Sequence, residues 1–149
     1  MSGLAEFLKG KKYSETQERR REEKLLLEWQ EAVSNLFTKI ENWLAPAMSE
    51  GLNLKRYMTE IDEKGLGKYT VPALELEFEG IQVKIEPVGR LVVGARGRVD
   101  ISSPLGIYHL VRLGPEKDGW YLIRESVDDR KRLTKQTLEE LLKEIFDLV

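Results

Sequence analysis

From Glu15 to Ala45 the chain contains neither glycine nor proline, and within that stretch Leu26, Trp29, Val33, Leu36, Ile40 and Trp43 recur at spacings of 3, 4, 3, 4 and 3. Helical periodicity is the backbone geometry that brings such a series onto one side of an element. Leu25, Phe37 and Leu44 widen the stripe. Ser14 and Gln17 stand ahead of it at capping-box spacing. The pattern predicts a helix over 14–45 with one buried face, and residues 1–13 outside it as a flexible tail or a short separate helix.

The apolar stripe starts only at Leu25, and the preceding segment ETQERRREEK is charged on every side. A helix of about 30 residues is about 45 Å long, whereas a compact domain built from 149 residues measures roughly 40 Å across. The first turns are therefore expected to overhang the domain. They would serve either as a solvated face laced by i, i+4 ion pairs or as a docking segment for a partner or a second copy.

Beyond Gly51 the hydrophobic period changes from 3.6 to 2. A first strand is expected over Asn53–Ile61, followed by the loop EKGLGK. Tyr69–Phe78 and Ile81–Pro87 form the clearest hairpin, because Leu74, Leu76 and Phe78 alternate with Glu75 and Glu77 while Ile81, Val83 and Ile85 alternate with Gln82 and Lys84. A two-residue turn at Glu79–Gly80 sets Phe78 against Ile81, Leu76 against Val83, Leu74 against Ile85 and Glu75 against Lys84. Pro72 suits an edge or a bulge better than a central ladder.

A further strand is expected over Leu91–Ser102, with Ile85 opposite Val93 and with a bulge or bend at Gly94 and Gly97. Ile107–Leu113 and Trp120–Ser126 follow, giving five or six strands. VDDRKR reads as a charged connector. Thr134 then caps a final amphipathic helix carrying Leu138, Leu141, Leu142, Ile145 and Leu148. The fold expected is α+β, one domain over 1–149: a long N-terminal helix, an antiparallel meander over 53–126 in a strongly bent sheet or partly open barrel, and a C-terminal helix over 134–148.

Composition narrows the chemistry. Without cysteine there is neither a disulfide framework nor a thiolate metal site, and the single histidine, His109, rules out a histidine cluster. No stretch of 18 apolar residues occurs. A cytoplasmic chain with no membrane association is expected. The net charge of −2 and a pI of about 5.6 count against nucleic acid as the main partner, although residues 9–24 carry seven bases against four acids.

The strongest constellation of polar residues comes from strand register. If Ile101 pairs with Ile107 across SSPLG, Asp100 faces Tyr108, Arg96 faces Arg112, and Arg98 lies between them, with Tyr121 alongside. Such a face would suit an anion, a nucleic acid or an acidic partner, since guanidinium forks bind phosphate and carboxylate and aromatic rings offer stacking surfaces. It would equally suit an internal network, because opposed arginines need a carboxylate between them, and Asp100 or Glu125 could supply it. His109 falls on the apolar parity with Val111 and Val99 and is expected in the core or at an interface, bonded to a neighbour.

GLGK at 65–68 lacks the strand-then-helix context of a phosphate loop. Glu60, Asp62 and Glu63, and separately Asp128 and Asp129, lack calcium-loop spacing. No catalytic residue, metal site or cofactor is assigned. The reading that follows is a non-enzymatic interaction module, a homodimer or the binder of another protein, self-associating through Leu26, Trp29, Val33, Leu36 and Trp43 of the long helix. The alternative is a nucleic-acid or anion-binding domain using Arg96, Arg98, Arg112, Tyr108, Tyr121 and Asp100.

Overall fold

The computed structural model describes residues 3–90, 95–114 and 119–148 of the chain. Its first element, α1, runs from Gly3 to Met48. It is half as long again as the glycine-free stretch predicts, because helix continues through Gly10 at one end and through Pro46 at the other. Pro46 removes one amide donor and crowds the carbonyl four residues back, and the helix ends within a turn of it. The end is a Schellman arrangement: Gly51 lies in the left-handed region at φ +103, its N–H donates to Met48 O, and the Leu52 N–H donates to Ala47 O.

Seven strands follow in one antiparallel sheet whose spatial order is the chain order. They are β1 (Asn53–Glu63), β2 (Gly67–Phe78), β3 (Ile81–Gly89), β4 (Arg98–Ser103), β5 (Gly106–Arg112), β6 (Trp120–Ile123) and β7 (Lys131–Arg132). The meander is open, since β1 and β7 are its two edges. It has one or two strands more than expected and extends past residue 126. The segment expected to be a plain connector forms a 3-10 turn, Val127–Asp129, and then β7 against Tyr121 and Leu122. A two-residue strand leaves no periodicity to read.

The β2–β3 hairpin has the expected register, with Phe78 opposite Ile81, Leu76 opposite Val83, Leu74 opposite Ile85 and Glu75 opposite Lys84. Its turn residues Glu79 and Gly80 both have positive φ, 49 and 87, as a primed two-residue turn requires. Pro72 pairs with Met58 of β1 in the half of β2 that makes no β3 ladder, so β2 is locally an edge strand there, where proline is tolerated.

Two registers differ from expectation. Ile85 faces Ile101 rather than Val93; residues 91–94 lie outside those described. Across the next turn Ile101 faces Tyr108, Asp100 faces His109 and Ser102 faces Ile107. The turn holds two residues, Pro104 and Leu105, with the Ser103 hydroxyl accepting from the Leu105 N–H and donating to Gly106 O. That turn is one residue tighter than the alignment of Ile101 with Ile107 assumed, and a one-residue slip moves every side chain to the other face.

The second helix, α2, spans Lys135–Phe146, with Thr134 as its cap. Thr134 Oγ1 accepts from the Thr137 N–H and Thr137 Oγ1 accepts from the Thr134 N–H. Its buried Leu138, Leu141, Leu142 and Ile145 meet the inner face of the sheet and α1 in one core. From α1 that core takes Trp29, Val33, Leu36, Phe37, Ile40 and Leu44. Burial therefore begins at Trp29, and nearly all of α1 ahead of Leu25 is exposed.

Candidate functional site

Where α1 enters the domain, Glu28 and Trp29 enter the sheet together. Trp29 is fully buried and its ring lies against the backbone at Gly97, so close that a Cβ at Gly97 would sit 2.2 Å from it. Gly97 has φ +152, and around it the Arg96 N–H donates to Arg112 O and the Arg112 N–H to Gly97 O. Trp120 packs beside Trp29 at a ring separation of 6.1 Å. The bend expected at Gly97 is therefore the socket for the helix's tryptophan.

Glu28 binds the arginines at this socket. Its Oε1 accepts from Arg112 Nη1 at 2.6 Å and from Arg96 Nη2 at 3.4 Å, while Arg96 Nη1 donates to Gly114 O at 2.7 Å. Burial alone would raise the Glu28 pKa, but the hydrogen bond and charge of Arg112, with the charges of Arg96 and Arg90, outweigh it and hold the carboxyl below its ordinary value. Arg112 is buried, with only 7% of its side chain exposed.

On the other side of Trp29 a second polar chain runs inward. Trp29 Nε1 donates to the Tyr69 hydroxyl, which donates to Glu63 Oε1 at 2.7 Å, and that oxygen also accepts the Arg90 N–H at 3.0 Å. Burial, then the neighbouring Glu63 carboxylate, pushes the Tyr69 phenol well above its usual pKa. Glu63 also sits against Gly89, where a Cβ would lie 2.9 Å from its carboxylate.

Arg96 and Arg112 thus meet, as expected, but at the Gly97 bulge and with a carboxylate from the helix between them. The remaining residues of the expected face divide between the two sides of the sheet. Tyr108 opposes the core residue Ile101 and packs against the core, with the Arg124 guanidinium 5.7 Å above its ring. Arg98, Asp100 and Tyr121 lie on the outer face. Arg98 Nε donates to Asp100 Oδ1 at 3.1 Å, and His109 Nδ1 is 2.7 Å from the same oxygen. His109 is thus a partly exposed outer-face residue rather than a core one, a direct consequence of the slipped register.

The stripe assigned to self-association is used within the chain. Trp29, Val33 and Leu36 are core residues at 3% exposure or less, and Leu26 and Trp43 are partly buried against the same core. Sequence reasoning missed Glu28 and saw Glu63 only as one of three acidic residues near a turn. For Glu28 the signal was present: it adjoins the most buried residue of the stripe, and two arginines were left in need of a carboxylate.

Among the described residues, two groupings of apolar side chains stand open to solvent. At the tip of α1, Leu4, Phe7 and Leu8 are 70%, 63% and 47% exposed, at i, i+3 and i+4 and so on one face. At the far end of α1 a cleft of about 300 Å³ opens between that helix and α2, lined by Leu44, Leu52, Phe78, Leu142 and Phe146 among others. Phe78 and Phe146 meet edge to face there at 5.9 Å. Among the described residues no three or more acidic or histidine side chains are grouped to hold a metal ion, and no helix is long and apolar enough to cross a membrane. GLGK leads into β2, not into a helix, and the Asp129 carboxylate accepts the backbone N–H groups of Arg124, Glu125 and Ser126. Comparison with family models, with curated proteins and with solved structures returned no match in any of the three.

Proposed function

We propose that this chain is a non-enzymatic protein-interaction module that self-associates through its N-terminal helix. The observation that carries this reading is the tip of α1, where three large apolar side chains stand exposed on one face of a helix that projects beyond the domain. A helix rising about 1.5 Å per residue reaches roughly 40 Å past Trp29, and little of that length is buried in the chain's own core. An exposed apolar patch held at the end of a stiff arm is a docking element.

The self-association differs from the one the apolar stripe suggests. Trp29, Val33 and Leu36 are committed to the chain's own core, so the contact surface is carried by the residues before Leu25. An anion-binding reading would rest on Arg96, Arg98 and Arg112, each of which already has a carboxylate partner, and no further observation favours it.

Light scattering tests the proposal by comparing the full chain with one lacking residues 1–24. A multiple of the monomer mass for the full chain and a single monomer for the truncated one are expected. Two monomers would sink the reading.

A further inference from the structure

Leu4 and Trp29 are separated by about seven turns of helix, so the apolar tip lies on the same side of α1 as the core stripe. The arm therefore overhangs with its apolar tip turned toward the side on which the domain lies. The cleft beside Leu44 and Leu52 lies at the opposite end of the same helix, about 60 Å away along the axis. A continuous helix cannot bend back over that distance, so the tip does not reach the cleft of its own chain.

Resting on the self-association proposed above, we infer that the tip of one copy docks in the α1–α2 cleft of a second copy. The cleft is lined by Leu and Phe side chains and has a volume suited to the side chains of Phe7 and one flanking leucine. The charges agree as well. Exposed Lys9, Lys11 and Lys12 outnumber Glu6 at the tip, and Glu50 and Glu139 outnumber Lys143 in the lining of the cleft. Because each chain carries both halves of the contact at opposite ends of one helix, two chains running antiparallel make it twice and close as a two-fold dimer.

The absence of cysteine makes a clean test available. Lys9→Cys and Glu50→Cys change exposed residues at the edge of the proposed contact, where Lys11, Lys12 and Glu139 keep the charge pairing. Each variant is purified as the full chain, and they are treated with a short bis-maleimide both mixed and separately, while parent mass is followed by sedimentation. Docking predicts a dimer and a cross-linked band in the mixture at least five times stronger than for either variant alone. Phe7→Glu, at another exposed position, is expected to weaken dimerisation at least tenfold with an unchanged circular dichroism spectrum of the folded domain. A dimer that forms without the mixed cross-link, or one cross-linked by Lys9→Cys alone, overturns the inference and leaves self-association standing. A monomer at every concentration overturns both.

Discussion

Gly97 is the residue at which helix and sheet come closest, and two separate costs meet there. A side chain at φ +152 is strained by itself, and a Cβ would also be driven 2.2 Å from the Trp29 ring. Gly106 has a similar φ of 143 with nothing within 4 Å of its virtual Cβ, so it isolates the first cost. Gly106→Ala is expected to destabilise by about 1 kcal/mol, and Gly97→Ala by about 3 kcal/mol, since overpacking of a rigid ring is added. Urea unfolding of both variants, with unchanged m-values, gives the comparison; equal losses would mean that Trp29 yields freely. At Glu28, replacement by Gln leaves Arg112 buried without its counter-charge. A loss of about 2 kcal/mol is expected at pH 7. The folded-state pKa of Glu28 is lowered, so its contribution is present above the ordinary carboxylate value of 4.5 and is lost as pH falls through the folded value. The gap between parent and Glu28→Gln should therefore narrow below that pH in urea midpoints measured across an acid series. A gap that stays constant to pH 3 would show that the charge contributes nothing. The sequence made Arg96 and Arg112 visible as a pair, but their partner is a long-range contact. Only its place beside Trp29 distinguishes Glu28 from the solvated glutamates a turn away.

Elements were legible in proportion to the length and regularity of their pattern. The β2–β3 hairpin repeats the same alternation on both strands around Glu79–Gly80, so both faces agree on one register. The step from β4 to β5 offers only six and seven residues, and SSPLG admits turns differing by one residue; the wrong choice placed His109 in the core and Asp100 on the far side from it. In α1 the stripe marked the buried half correctly, while helix continued past Gly10 and Pro46, where propensity argued for a stop. Tertiary packing explains the second, since Ala47 lies against the core beside Leu44. It does not explain the first, because nothing lies within 4 Å of a Cβ placed at Gly10. The arm holds itself by backbone hydrogen bonds and by the ion pairs its charge spacing allows, at a few tenths of a kcal/mol each. Amide hydrogen exchange should show that inequality within one helix: strong protection from Trp29 to Leu44 and a steep decline from Lys24 toward Gly3. At concentrations where the chain self-associates, protection should return at residues 4–12. A flat profile along α1 at high dilution would contradict the overhang.

At the scale of the whole molecule, the chain consists of a core that excludes its own first 24 residues and an arm that shares a helix with that core. All three tryptophans belong to the core or its margin: Trp29 and Trp120 are buried, and Trp43 of α1 is partly buried against the same core. Their fluorescence therefore reports the core alone. The far-ultraviolet circular dichroism reports both parts, because the arm holds more than a third of the residues in the two α-helices. A helix of about twenty exposed residues is marginal in water, whereas the core unfolds cooperatively. Heating at low concentration should thus produce a gradual loss of helical signal before any change in tryptophan fluorescence, and the two probes should fail the coincidence test that a two-state chain passes. Removing residues 1–24 should make them coincide and leave the fluorescence midpoint within about 2 °C, since the arm contributes almost no burial to the core. Raising the concentration of the full chain should move the early helical loss upward and merge it with the core transition, because docking stabilises the arm by mass action. If the early loss occurs at the same temperature across a hundredfold range of concentration, the arm is not covered in the assembly. The self-association would then have to use another surface.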